Sequence, residues 1–290
     1  MPLELPSGLS PSKVSSFKDC ALAFRYGVID RIPEPPAPWT AKGSLVHRAL
    51  ERLFVEAPAD RTLDAALHHL ELAKPEIMEH WEYADLELST EEQVEFFADS
   101  EQLVRNYFLL EDPTRINAIG LELRLGADLG TLSLRGIIDR LDMDDDGELV
   151  VVDYKTGKAA SVNYENARLG GVHFYSFLCE QLFGKRPKAV RLLHLREPVA
   201  ITATPTDQST SGFQRKVMAL WAAVERACER DDFRPRPSGL CDYCAYKAYC
   251  PAWGGDPALA AALVAELAAA AAASEGSARR AASNMALAAG

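Results

Sequence analysis

The 290-residue chain has no uninterrupted apolar run of about 18 residues, the length a helix needs to cross a bilayer. Its first residues, MPLELPSGLSPSK, lack the basic-then-apolar order of a secretory signal, so the cytoplasm is the expected location. It has no Gly-x-x-x-x-Gly-Lys-(Ser/Thr) phosphate loop, so no helicase motor of its own is visible. Neither a base-reading helix nor a zinc finger is evident. Aromatic residues stop at Trp253, and half of the sequence beyond Asp256 is alanine. Alanine favours helix but offers little bulk to bury. Residues 257–290 therefore read as a frayed helical or flexible tail.

What is present describes an ordinary globular protein, with 48% hydrophobic and 25% charged residues. The net charge of -11 argues at first against a nucleic-acid partner. Its distribution weakens the objection. Between Asp60 and Asp112 lie 15 acidic and 3 basic residues, leaving 27 acidic and 28 basic residues elsewhere. Steering of a polyanion depends on local potential, so the charge neither supports nor excludes DNA.

Along the chain, Ser10-Pro11 reads as the cap and first turn of a helix running to about Tyr26. A proline-rich link, Ile32 to Pro38, leads to a helix containing GSLVHRALERLF. Residues 60–112 read as acidic helices forming an inserted or capping subdomain. After Pro113 come short β-rich runs with a tight turn at Asp144–Gly147, an antiparallel meander. A helix at about Gly171–Phe183 follows, then two strands, AVRLLHL and VAITATP, joined at Arg196–Pro198. Thr206 or Asp207 caps a helix to about Arg230, before a cysteine-containing coil at 234–253. The expected fold is α/β, with residues 1–256 as a single domain.

Two segments carry chemistry. In GIIDR and VVDYKTG, strand alternation puts Asp153 and Lys155 on one face, with Asp139 on the preceding strand. Two carboxylates from adjacent strands can hold Mg2+ or Mn2+, and a lysine beside them stabilises charge on a reacting phosphate. The alternative is a surface ion pair, but VVVDYK is very apolar before its aspartate for a simple surface edge. The second segment is Cys241-x2-Cys244-x5-Cys250. With Cys20 as a fourth thiolate, either zinc or an iron–sulfur cluster fits. Cys179 and Cys228 read as buried small apolar residues.

Asp139, Asp153 and Lys155 together resemble the Asp...(Asp/Glu)-x-Lys core of the PD-(D/E)XK nucleases. GSLVH at Gly43–His47 resembles the Gly-x-x-x-His motif of their RecB-like branch, which includes CRISPR-associated exonucleases. The resemblance implies a restriction-endonuclease-like mixed sheet flanked by helices, with His47 and the Tyr154 carbonyl as further metal ligands. It also implies a 4Fe-4S cluster on Cys20, Cys241, Cys244 and Cys250. One departure stands out: of the family's Gln-x-x-x-Tyr only Tyr175 is kept, and Gly171 replaces the glutamine. Tyr175 serves either substrate or core.

The expected activity is metal-dependent cleavage of DNA from single-stranded ends, in repair or recombination and with a separate helicase as a possible partner. A non-cleaving DNA-binding or helicase-partner subunit is the alternative. Arg234, Arg236 and the Lys185–Arg191 run are candidate phosphate contacts. Tyr243, Tyr246 and Tyr249 either stack bases or pack.

Overall fold

A computed structural model describes residues 3–157 and 170–270. The chain divides into two compact units, one of Ser7–Val14 and Pro36–Trp221, the other of Met1–Pro6, Ser15–Pro35 and Ala222–Gly290.

The larger unit is built on a five-stranded sheet of order β1-β2-β3-β4-β5. The strands are β1 (Ala118–Leu129), β2 (Leu132–Met143), β3 (Leu149–Lys155), β4 (Ala189–His194) and β5 (Val199–Ala203). Only β3 and β4 pair in parallel. The first hairpin closes between Leu129 and Leu132, and Gly130, at φ +61°, takes the left-handed turn conformation. Asp144 organises the second turn by accepting the amides of Asp146 and Glu148, at 3.0 and 2.8 Å. The expected meander and turn are therefore present. A parallel pair needs a crossover. The one from β3 to β4 includes the helix Gly170–Phe183.

Helices α3 (Pro38–Val55), α4 (Leu63–Glu79), α5 (Trp81–Ala84) and α6 (Thr90–Tyr107) hold the acidic segment and the helix before it. They do not stand apart as a capping subdomain. Leu50, Leu53, Leu70 and Leu103 share one buried cluster with Val152, Tyr154 and Leu193 of the sheet. The helices are amphipathic, so their acidic faces turn outward while their leucines cover the sheet. Val151 and Val190 are buried on the other face. There the crossover helix, α7, packs Phe174 and Phe177 on Phe213, with ring centroids 5.6 and 5.9 Å apart. Phe213 belongs to α8 (Asp207–Arg230), whose cap is Thr206: its hydroxyl accepts from the Ser209 amide at 3.1 Å.

The expected single helix from Pro11 to Tyr26 is broken at a point within the smaller unit. Helix α1 (Pro11–Asp19) ends at Cys20, which is extended (φ -160°, ψ 111°), before α2 (Ala21–Phe24) and a wide turn at Arg25–Ile29. Arg236 explains the break. Its guanidinium donates to the Lys18 carbonyl at 2.9 Å, and its amide donates to Cys20 Sγ at 3.4 Å. Tyr246 is buried, donates to the Glu34 carboxylate at 3.1 Å, and packs with Tyr249 around Tyr26. Tyr246 and Tyr249 thus pack, while Tyr243 is exposed. Cys179, in the larger unit, and Cys228 are buried, as expected. Residues 257–270 are helical, and the rest of the alanine-rich tail lies outside the described residues.

Candidate active site

The site begins where the sheet opens. The ladder between β2 and β3 ends at Arg140 opposite Val152. Counted one step further, the same register sets Asp139 opposite Asp153, on one face. Beyond that step the Tyr154 amide has no main-chain partner on β2, and it donates instead to Asp139 Oδ2 at 2.7 Å. The carboxylate therefore fills a gap in the sheet, which fixes its position.

Helix α3 brings His47 to this gap. Gly43, one turn earlier, explains how the helix comes so near: a Cβ there would lie 3.2 Å from Thr156 Oγ1. Gly43→Val should therefore push α3 back and reduce cleavage at least tenfold with little change in melting temperature. Parallel kinetics and thermal melts check this, and an unchanged rate would refute it. His47 Nε2 lies 3.2 Å from the Tyr154 carbonyl, while Nδ1 is 3.6 Å from Asp139 Oδ2 and 4.0 Å from Glu122 Oε1. If Nε2 carries the proton and donates to Tyr154, the Nδ1 lone pair faces the carboxylates. In this arrangement the Tyr154 carbonyl orients the histidine.

Glu122 is the residue that sequence reasoning missed. His47, Glu122 and Asp139 offer ligand atoms that all lie within 4.8 Å of one another, a mixed nitrogen and oxygen set suited to a divalent cation. Glu122 stands on β1 with φ +44°, an unusual conformation for a side-chain-bearing strand residue. In the sequence it is one charge in LELRL, and only the β1–β2 register sets it across from Asp139. Glu122→Gln is expected to raise the magnesium concentration needed for half-maximal activity about tenfold, because a charged ligand is lost while the shape is kept. An unaltered metal titration would remove Glu122 from the site.

The electrostatics are those of crowded acids. Asp139 is pushed up to about 8, first by burial and then by the Asp153 carboxylate. Burial also raises Glu122, helped by Asp139. His47 is held below its ordinary value by burial, which Asp153 and Glu122 only partly offset, so the neutral, ligating form is favoured. A divalent cation would relieve the repulsion among these groups. Asp153 is buried and pairs with the Lys155 ammonium. It lies outside the three-residue ligand cluster but close enough to act on Asp139 and His47 through its charge.

Behind the site, on the opposite sheet face, Arg140 is completely buried. It binds both oxygens of Asp142 at 2.8 and 3.0 Å, Glu111 at 2.8 Å and the Tyr154 hydroxyl at 2.8 Å. A buried cation matched this fully locks β2 to β3 beside Asp139. Tyr175 approaches from α7. Burial raises its hydroxyl pKa well above the ordinary value, and the carboxylates of Asp153, Asp139 and Glu122 add to the effect. Gly136 makes room for it, since a Cβ there would meet the Tyr175 ring at 3.0 Å. The candidate phosphate contacts fare differently. Lys185, Lys188 and Arg234 pair with Glu148, Asp144 and Asp232, as a solvated ion-paired surface would, while Arg191 pairs with the buried side chain of Glu111.

In the smaller unit Cys20, Cys241, Cys244 and Cys250 line one cavity of about 230 Å³. Burial raises the Cys244 thiol, and the other three cysteines add to that effect. The Ser238 amide donates to Cys241 Sγ at 3.3 Å. Among the described residues, the cluster of close ligand atoms is that of His47, Glu122 and Asp139, and these cysteines do not form one as tight.

A model of the PD-(D/E)XK nuclease superfamily matches residues 8–251. No curated protein matches the chain. Among solved structures, a protein from Eubacterium rectale named "Putative exonuclease" is 15% identical, with 83% of this chain and 88% of that chain covered and a TM-score of 0.50. Another, SSO0001, is also 15% identical, with 73% of this chain and 95% of that chain covered and a TM-score of 0.36. At this identity the first likeness concerns the fold, and it agrees with a mixed sheet flanked by helices. The family match covers most of the chain and both segments that carry chemistry, and the protein therefore belongs to the PD-(D/E)XK nuclease superfamily.

Proposed function

We propose that this nuclease is a RecB-like exonuclease that degrades single-stranded DNA from free ends in repair or recombination. The observation that carries the reading is the meeting of His47, Glu122 and Asp139 where β2 and β3 part, with Asp153 and Lys155 beside them. Asp139, Asp153 and Lys155 are the catalytic residues in this reading, and His47 and Glu122 complete a site for Mg2+ or Mn2+. A cation held there supplies Lewis-acid stabilisation to the phosphate and acidifies the attacking water. Lys155 places a fixed positive charge where the phosphoryl group gains negative charge. His47, held by the Tyr154 carbonyl, keeps the ligand set oriented. Tyr175 borders the carboxylates from the α7 side, a placement that suits a substrate contact.

The four cysteines are proposed to hold a 4Fe-4S cluster that staples the smaller unit. The order of one cysteine, Cys20, before the sheet and Cys241-x2-Cys244-x5-Cys250 after it supports this reading over zinc. Protein purified anaerobically should carry about four iron atoms per chain and absorb broadly near roughly 400 nm. Stoichiometric zinc without iron would sink this assignment.

DNA is the expected partner, with a separate helicase supplying unwound strands. The test is cleavage of end-labelled linear and of circular single-stranded DNA, with magnesium, manganese or EDTA. Linear strands should shorten from an end and circles should persist. Circles cut as fast as linear strands would overturn the exonuclease reading. Binding without cleavage in any metal would favour a non-cleaving subunit.

A further inference from the structure

His194 is the last residue of β4 and is 2% exposed. Among the described residues, neither ring nitrogen has a hydrogen-bonding partner. Neutral imidazole has one N–H and one lone pair, so an unpartnered buried ring carries a free-energy cost that phenylalanine or leucine would avoid. An unsatisfied polar group of this kind calls for an explanation.

The register supplies one. In the parallel β3–β4 ladder, Lys155 stands beside His194, and residues so paired share a face. That is the face of Asp153. The ladder stops at this step, and the Leu195 amide still donates to the Lys155 carbonyl at 2.8 Å, which holds the two strand ends together. On the other side His194 is paired with Val199, which offers the ring no polar side-chain partner. Of these two described register partners, the one with a polar side chain to engage the ring is the half-exposed Lys155. On strands about 4.8 Å apart, a lysine ammonium and an imidazole are polar groups that one water could bridge.

We propose that His194 is a positioning residue for Lys155, holding an ordered water against the lysine ammonium. Asp153 draws the ammonium along β3 toward the carboxylates. The water held by His194 draws it across toward β4, and the two directions together fix where its charge stands relative to the reacting phosphate. This inference rests on the reading of Lys155 as catalytic. His194 touches neither substrate nor metal and acts only through the lysine.

The test compares His194→Phe, His194→Gln and Lys155→Ala with the parent, using kcat and KM on linear single-stranded DNA, melting temperature and manganese affinity. The phenylalanine variant removes an unsatisfied polar group and keeps an aromatic ring. It should melt at or above the parent temperature and bind manganese equally, while kcat falls about tenfold or more with KM unchanged. The glutamine variant keeps a polar group able to hold water and should recover much of kcat. Parental kcat in His194→Phe would overturn the inference, as would equal losses in both variants or failure of both to fold. Full activity in Lys155→Ala would instead overturn the underlying active-site reading, whatever His194 does.

Discussion

Asp153→Ala is expected to cut magnesium- or manganese-dependent cleavage of single-stranded DNA about a thousandfold, equal to about 4 kcal/mol of transition-state stabilisation, with DNA binding nearly unchanged. Asp153 lies one step past the last β2–β3 ladder pair, buried, with the Lys155 ammonium against it. Its interactions strengthen as charge builds on the phosphate, so their loss falls on kcat more than on affinity. The same variant has a second signature. The Asp153 carboxylate helps push Asp139 up to about 8, so at neutral pH the folded state carries crowded acids. A carboxyl raised in the folded state weakens the fold as pH climbs above its unfolded value. Removing Asp153 should therefore leave the melting temperature at neutral pH equal to the parent's or higher. Activity lost without stability lost separates a catalytic role from a structural one. Lys155→Ala should lose cleavage yet keep metal binding, and His47→Ala should be milder while Glu122 and Asp139 still hold the cation. Unchanged cleavage in Asp153→Ala, with the parent active and EDTA-sensitive, would mean that the active site lies elsewhere.

Cys20→Ala should abolish iron incorporation and lower the melting temperature by roughly 10 °C. The residue stands where α1 is broken, its sulfur bonded by the Arg236 amide and facing the cavity of Cys241, Cys244 and Cys250. A cluster held there ties positions roughly 220 residues apart. By analogy with cross-links closing loops this long, its loss costs about 4 kcal/mol in a chain of this size. Cys228→Ala is the control: Cys228 is buried and does not line the cavity, so that variant should lose some packing and keep its iron. Parental iron content and melting temperature in Cys20→Ala would take Cys20 out of the proposed cluster.

Much of this molecule is written locally. The alternation in VVVDYK, the turn at Asp144–Gly147 and the helical spacing of GSLVHRALERLF depend on neighbours a few residues away, and each element formed as read. The family motif residues were legible for the same reason, since Asp139, Asp153 and Lys155 keep a short spacing across one hairpin. Other features depend on partners far along the chain. Composition marked residues 60–112 as separate, yet their leucines complete the core over Val152 and Leu193, because charge describes only the outward face of an amphipathic helix. The helix expected from Pro11 to Tyr26 breaks at Cys20, where groups of Arg236, more than 200 residues away, take up the Lys18 carbonyl and the Cys20 sulfur.

The sequence by itself determined the strands, the candidate reactive side chains and the family they resemble, because local periodicity and close motif spacing suffice for these. Only the tertiary structure decided that β2 and β3 part beside Asp139, that Glu122 joins His47 there, and that His194 is buried beside Lys155. Each is a matter of register between strands, and register is set by how side chains from distant segments pack, which no single stretch of sequence contains.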